Sequence, residues 1–195
     1  MGRKVCGSHS ARKGNRLNFI ETPFAGLFVV EIQPIADARG FFARSFCVRE
    51  FAKLGLDPAV AQCNISFNEK AGTLRGLHYQ ASPYEEAKLV RCTRGSIYDV
   101  VVDLRRESPT YLKWYAVELN AEDHRMIFVP RGFAHGFQTL VDQSEVFYMM
   151  SEFYYSESAR GLRWDDPLLG IEWPLANPIL SEKDREYALL DSSEK

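Results

Sequence analysis

The chain has 195 residues, a formal net charge of -2, 26% charged residues and 46% hydrophobic ones. That length supports one buried core and leaves little room for a second domain, and the near-neutral balance supplies no basic face for bulk nucleic-acid binding. No apolar run reaches membrane-spanning length, and four cysteines without CxxC pairing fit a reducing cytoplasm better than a disulfide scaffold.

Residues 1–16 are basic and polar without the apolar stretch of a signal peptide, and Gly7-Ser8-His9-Ser10 resembles vector-derived sequence, so a disordered arm is expected there and a single domain over 17–195. From about Phe28 the apolar residues follow period two far more than 3.6, interrupted by Gly, Pro, Asn and Asp clusters. This predicts an all-β chain. Residues 48–54, apolar at 48, 51, 52 and 54 and followed by Gly55, predict a short helix with a glycine stop. Residues 89–92 and 97–104 flank Thr93-Arg94-Gly95-Ser96 and read as the arms of a hairpin. In the second arm Tyr98, Val100, Val102 and Leu104 share an apolar face, while Asp99 and Asp103 fall on a mixed one. Further strands are predicted at 114–119, 126–129, 137–141 and 146–150, spaced as in sandwiches and jelly rolls. The tail after Trp164, with Ile171 and Trp173 among prolines and aspartates, is expected to wrap the barrel irregularly until Ser181-Glu182-Lys183-Asp184 starts a helical turn.

The stretch Gly76-Leu77-His78-Tyr79-Gln80 lies between Arg75 and Lys88, which places an imidazole and two cations among strand-forming residues. A second histidine, His135, sits in Pro130-Arg-Gly-Phe-Ala-His-Gly-Phe137. Taken singly, each fits a satisfied core or turn histidine. Their matching glycine-flanked contexts favour a general base, since histidine titrates near neutrality. A base beside positive charge suits an anionic, carbonyl-bearing substrate.

A metal centre is the competing reading. Pro130-x-Gly132-x-x-His135 is similar to the second histidine motif of cupins, and His78-x-Gln80 with Glu85 to a degraded first one, so His78, Glu85 and His135 could form a facial triad. Gln80 at the usual second histidine and the Lys88 ammonium both argue against it. Tyr148, on the same strand face as Val146 and Met150, reads alone as a core tyrosine. Arg39 and Arg75 read alone as surface arginines, and Asp184 as a helix-start carboxylate.

Together, Asp37-Ala-Arg-Gly-Phe-Phe, Gln62-Cys-Asn-Ile-Ser, Leu74-Arg-Gly-Leu-His-Tyr-Gln, Lys88-Leu-Val-Arg, Asp99-Val-Val-Val-Asp-Leu-Arg, Ser108-Pro-Thr, Val129-Pro-Arg-Gly-Phe-Ala-His-Gly-Phe, Trp164-Asp-Asp-Pro and Leu180-Ser-Glu-Lys-Asp resemble the dTDP-4-dehydrorhamnose 3,5-epimerase family, in unbroken order from about residue 20 to 190. The resemblance implies a cupin-type jelly-roll β-barrel with a few short helices, usually a homodimer, that needs no metal or organic cofactor. It also implies an isomerase that inverts the carbons flanking the 4-keto group of a nucleotide-linked 6-deoxy sugar. By resemblance His78 is the base, Asp184 its partner, Lys88 the enolate stabiliser and Tyr148 the acid. Arg39, Arg75 and Lys183 would bind the pyrophosphate, and Gln62, Asn64 and His135 would line the substrate site. Arg44, Glu86 and Ala159 stand where the family's dTDP-rhamnose branch commonly carries glutamate, glutamine and glutamate, which leaves open the nucleotide, the sugar, and whether C3, C5 or both are inverted. A metal-dependent cupin and a non-catalytic sugar-nucleotide-binding cupin are the alternatives of other classes.

Overall fold

The computed structural model describes residues 15–191, so the expected arm lies almost wholly outside the described residues. The elements in chain order are β1 (Leu17–Glu21), β2 (Phe28–Ile32), β3 (Ile35–Asp37), β4 (Gly40–Phe42), α1 (Val48–Lys53), β5 (Gln62–Asn68), β6 (Leu74–Gln80) and β7 (Lys88–Arg94). They continue with β8 (Ser96–Asp103), β9 (Trp114–Asn120), β10 (Met126–Val129), β11 (Phe133–Thr139), β12 (Ser144–Met150), β13 (Ala159–Gly161) and α2 (Glu182–Glu186). One sheet runs β1-β2-β10-β7-β12-β5 and the other β13-β6-β11-β8-β9, with β3 and β4 forming a separate hairpin. Strands consecutive in the chain repeatedly change sheet, as in a jelly roll.

Alternation along each strand builds three apolar layers. Between the sheets, Val90 and Cys92 of β7, Ile127 of β10 and Val146 of β12 meet Ile97 and Val101 of β8 and Phe133 and Phe137 of β11. On the outer side of the first sheet, Phe51 of α1 is fully buried against Leu89, Met126 and Phe128, a burial that contributes about 1.5–3 kcal/mol. On the outer side of the second, the tail lays Leu162, Leu169, Ile171 and Trp173 over Leu77, Val100 and Val102. The tail therefore does wrap the barrel, and it ends in α2 with Ser181 as N-cap, its hydroxyl accepting from Asp184 N.

Two expectations are corrected. Residues 89–92 and 97–104 do not form a hairpin: β7 pairs with β10 and β12, while β8 pairs with β11 and β9, and the chain crosses between sheets at Gly95. A glycine-containing turn between alternating strands looks the same in sequence whether it closes a hairpin or rounds a corner. The strand expected at 137–141 is β11, which starts at Phe133 and ends at Thr139, leaving Val141 exposed in a turn. The mixed face of β8 is also the inner one, since Asp99 and Asp103 are fully buried.

A candidate active site between the two sheets

The glycines of the two histidine motifs let β6 and β11 approach closely. A Cβ on Gly76, whose φ is +133°, would come within 2.6 Å of Gly136 Cα, a position only glycine fills without displacing the neighbouring strand. The register of this pair shifts between His135 and Phe137, and His135 lies opposite His78. Both histidines are thus mid-strand neighbours.

Facing them from the other sheet is β12, where Tyr148 lies opposite Asn64 and Met150 opposite Gln62. Lys88, the first residue of β7, is paired with Met150 on its other side. Register alone therefore gathers Gln62, Asn64, Lys88 and Tyr148 on one wall and His78 and His135 on the other. Between them lies a cavity of two joined lobes, of about 560 Å³ and about 440 Å³, which share Arg75, His78, Lys88 and Tyr148 as lining. The larger lobe also holds Gln62, Asn64, Lys183 and Asp184, and the smaller holds His135. Nine of the ten residues expected at the site thus converge there. The exception is Arg39, an exposed residue of the β3–β4 turn that pairs with Asp37 at 2.6 Å.

Each ionisable group has a distinct setting. His78 Nε2 lies 2.6 Å from Asp184 Oδ1, so with Nε2–H donated to the carboxylate the lone pair is on Nδ1. Burial works to raise the Asp184 pKa, but the hydrogen bond and charge of His78, with help from Ser181 and the Gly76 N–H, hold it below the usual carboxylate range. Burial raises the Tyr148 pKa against the pull of the Arg75 guanidinium, which keeps the phenol protonated. His135 Nε2 meets both oxygens of Asp99, at 3.0 and 2.9 Å. Burial raises the Asp99 pKa, opposed by His135 and Lys88.

Lys88 is itself buried, with its ammonium 2.9 Å from Glu86 Oε1 and donating at 3.3 Å to His78 O across the cavity. Glu86 Oε2 accepts in turn from Gln80 Nε2, which also donates to Tyr84 O and Phe153 O. Gln80, at the position where a cupin would supply a metal-binding imidazole, is thus committed to tying two loops together. Glu85 does not line either lobe, and among the described residues no group of three or more His, Cys, Asp or Glu is placed to hold a metal.

Of the three departures from the family pattern, Glu86 and Ala159 line the larger lobe. Arg44 does not: it pairs with Glu50 of α1 on the far side of the first sheet. Sequence reasoning missed Tyr154, Arg160, Ser181 and Tyr187, which complete the larger lobe. Asp99 carried a signal, its place on the mixed face of β8. Tyr187 carried none, because nothing local marks a tyrosine after a single helical turn.

A histidine–carboxylate pair, a half-buried phenol and several cations around an open cavity between the sheets of a jelly roll define an acid–base enzyme for anionic substrates. Comparison with known proteins places it further. The family profile for dTDP-4-dehydrorhamnose 3,5-epimerase matches residues 21–192. The chain is 44% identical over 169 residues to the dTDP-4-dehydrorhamnose 3,5-epimerase of Shigella flexneri, covering 86% of this chain and 93% of that one. The dTDP-4-dehydrorhamnose 3,5-epimerase of Bacillus anthracis, solved with TDP and PPi bound, superposes with a TM-score of 0.87 at 43% identity, covering 90% of this chain and 100% of that one. The dTDP-6-deoxy-D-glucose-3,5-epimerase of Legionella pneumophila, solved in complex with dTDP-4-keto-L-rhamnose, superposes with a TM-score of 0.84 at 37% identity, covering 92% and 97%. The chain belongs to the dTDP-4-dehydrorhamnose 3,5-epimerase family, and is an isomerase.

Proposed function

We propose that the protein inverts C3 and C5 of dTDP-4-dehydro-6-deoxy-D-glucose, giving dTDP-4-dehydro-L-rhamnose, by proton exchange next to the ketone. The observation that carries this reading is the placement of His78 on one sheet and of Tyr148 and Lys88 on the other, across one cavity. Epimerisation needs a proton taken from one face of the sugar and returned on the opposite face. His78 Nδ1 removes the proton from the carbon next to the ketone, and the electron pair moves onto O4 as an enolate. The Lys88 ammonium stabilises that oxygen. Asp184, held ionised, stabilises the imidazolium. Tyr148 then delivers its proton to the other face of the carbanion, and Arg75, whose charge already acts on this phenol, stabilises the phenolate until solvent reprotonates it.

Arg75 and Lys183 supply cations for the diphosphate, while Gln62, Asn64 and His135 line the remaining walls. The protein works as a homodimer in the cytoplasm. Ile35, Phe41 and Phe42 of the β3–β4 hairpin and Ile65 and Phe67 of edge strand β5 are exposed apolar residues that a second copy would cover. Across such an interface the hairpin brings Arg39 to the partner's cavity. Among the described residues, no helix is long and apolar enough to cross a membrane.

The test is exchange in heavy water against dTDP-, CDP- and GDP-linked 4-keto-6-deoxy sugars, read by NMR. The native protein exchanges the hydrogens beside the ketone of the dTDP sugar and forms the L-configured product, while His78→Ala abolishes exchange at both carbons. Tyr148→Phe spares exchange more than inversion, because the base alone can wash a proton in and out. Substantial exchange in His78→Ala, or normal inversion in Tyr148→Phe, contradicts the respective role.

A further inference from the structure

The cavity wall contains an aromatic side chain that the steps above leave without a task. Tyr187, just beyond α2, lines the larger lobe, with its ring 6.1 Å from that of His78 and the planes at 68°. It rests on Gly161 of β13, where even a Cβ would come within 2.2 Å of the ring carbons Cε2 and Cζ. Gly161 is the residue paired with His78 across the β13–β6 ladder. A missing side chain next to the base thus makes the seat for the hydroxyl-bearing end of this ring.

The hydroxyl is buried, and apart from the Lys183 ammonium, which can only donate to its oxygen, it meets no partner; a phenolic hydrogen left without an acceptor is costly and calls for a cause. Burial raises the pKa of this phenol against the pull of Lys183, so the hydrogen stays on the oxygen. An ammonium has only donors, so Lys183 cannot take that hydrogen. A buried donor and a cation side by side on a cavity wall match an anionic oxygen.

We propose that Tyr187 is a further substrate-binding residue, donating its phenolic hydrogen to a diphosphate oxygen beside Lys183, and that Gly161 is the seat that admits it. This rests on reading the cavity as a nucleotide-sugar site, in which Lys183 faces the diphosphate. It adds a donor that responds to the nucleotide and not to the ketone.

The experiment measures dTDP binding by calorimetry, and KM and kcat for the nucleotide sugar, in Tyr187→Phe, Gly161→Ala, Lys183→Ala and the Tyr187→Phe/Gly161→Ala double variant. Tyr187→Phe keeps the ring and removes one hydrogen bond to a charged group, so dTDP binding weakens about tenfold or more, with the loss in KM rather than kcat. Gly161→Ala, whose methyl displaces the ring, weakens dTDP to a similar degree, and the double variant is no worse than either single one. Native-like dTDP affinity in Tyr187→Phe overturns the proposal, and so do fully additive losses in the double variant. Should Gly161→Ala fail to fold, Tyr187→Phe alone decides. Lys183→Ala separates the two levels: if it too binds dTDP normally, the nucleotide reading of this wall has failed. If only Tyr187→Phe binds normally, the role of Tyr187 alone has failed.

Discussion

Replacing Asp184 by Asn removes one charge while leaving a side chain of the same shape against His78. In the native protein the carboxylate oxygen is 2.6 Å from Nε2, and on the proposed mechanism proton abstraction turns the imidazole into a cation beside it. Two unit charges with centres about 4 Å apart attract by about 4 kcal/mol at an effective dielectric of about 20. The Asp184 side chain is only 6% exposed but that of His78 is 41% exposed, and solvent screening on that side reduces the figure to roughly 2 kcal/mol. At 1.36 kcal/mol per decade, this is a loss of roughly 30-fold in the rate of abstraction. The assay is the initial rate of deuterium incorporation beside the ketone in heavy water, with dTDP affinity as a control for the rest of the cavity. Affinity should stay near native, because Asp184 faces the base. Exchange within about twofold of native would refute the idea that this carboxylate stabilises the imidazolium.

Glu86 offers a second test, since it both tethers Lys88 and places a negative charge behind it. Glu86→Leu removes tether and charge and should slow exchange at least tenfold, whereas Glu86→Gln keeps an acceptor for the ammonium and should exchange no slower than native; equal losses in both would show that charge matters and not the tether. The depressed pKa of Asp184 also predicts a pH dependence of stability. A carboxylate with a folded pKa below its unfolded value stabilises the fold above the unfolded value, about 3.9, and that contribution is lost as pH falls through the lower folded value. The urea midpoints of native protein and Asp184→Asn should therefore converge as pH falls from about 6 toward 3, while a constant gap would contradict the sign. If Arg39 completes the partner's cavity, Arg39→Ala and His78→Ala proteins, each impaired alone, should regain activity when mixed under conditions of subunit exchange. No recovery, despite hybrid dimers seen by native mass spectrometry, would place Arg39 outside the site.

The all-β character of the chain was legible because period-two alternation survives in strands such as β5, whose residues are alternately half-buried and exposed. What alternation could not reveal was partnership. In β8 both faces are buried, one under Trp173 and the tail and one against the opposite sheet, and the turn at Gly95 carries the same residues whether its strands pair or part. For the site, His78 and His135 were visible through their glycines, which exist because β6 and β11 approach at Gly76 and Gly136. Asp184 lies 106 residues from His78 in sequence, and only the family resemblance joined them. Tyr187 depends wholly on a tertiary contact, through Gly161, and no local pattern encodes it, whereas Asp99 was marked only by its place on the mixed face of β8 and its pairing with His135 was not. Arg44, one of the departures from the family pattern, pairs with Glu50 of α1 on the outer face of the barrel and lines neither lobe of its own chain's cavity, which no local pattern could have told.

The two-sheet arrangement also bears on how one base can serve two carbons. In a glucose-configured ring the hydrogens on C3 and C5 are both axial and on the same face, and the ketone carbon lies between them. A ring held by O4 at Lys88, with that face toward β6, presents both hydrogens to the His78 side of the cavity and the opposite face to Tyr148. Neither inversion then needs a second base, only a small in-plane shift of the ring between the two abstractions. Lys88 is suited to act as the fixed point for that shift, because its ammonium is anchored from behind by Glu86 and across the cavity by His78 O. Whether one carbon or both are inverted is on this view a matter of how far the ring can slide, which the walls of the larger lobe decide. Ala159 and Glu86, both on those walls, are where a substitution should alter the ratio of C3 to C5 exchange while leaving His78 responsible for each.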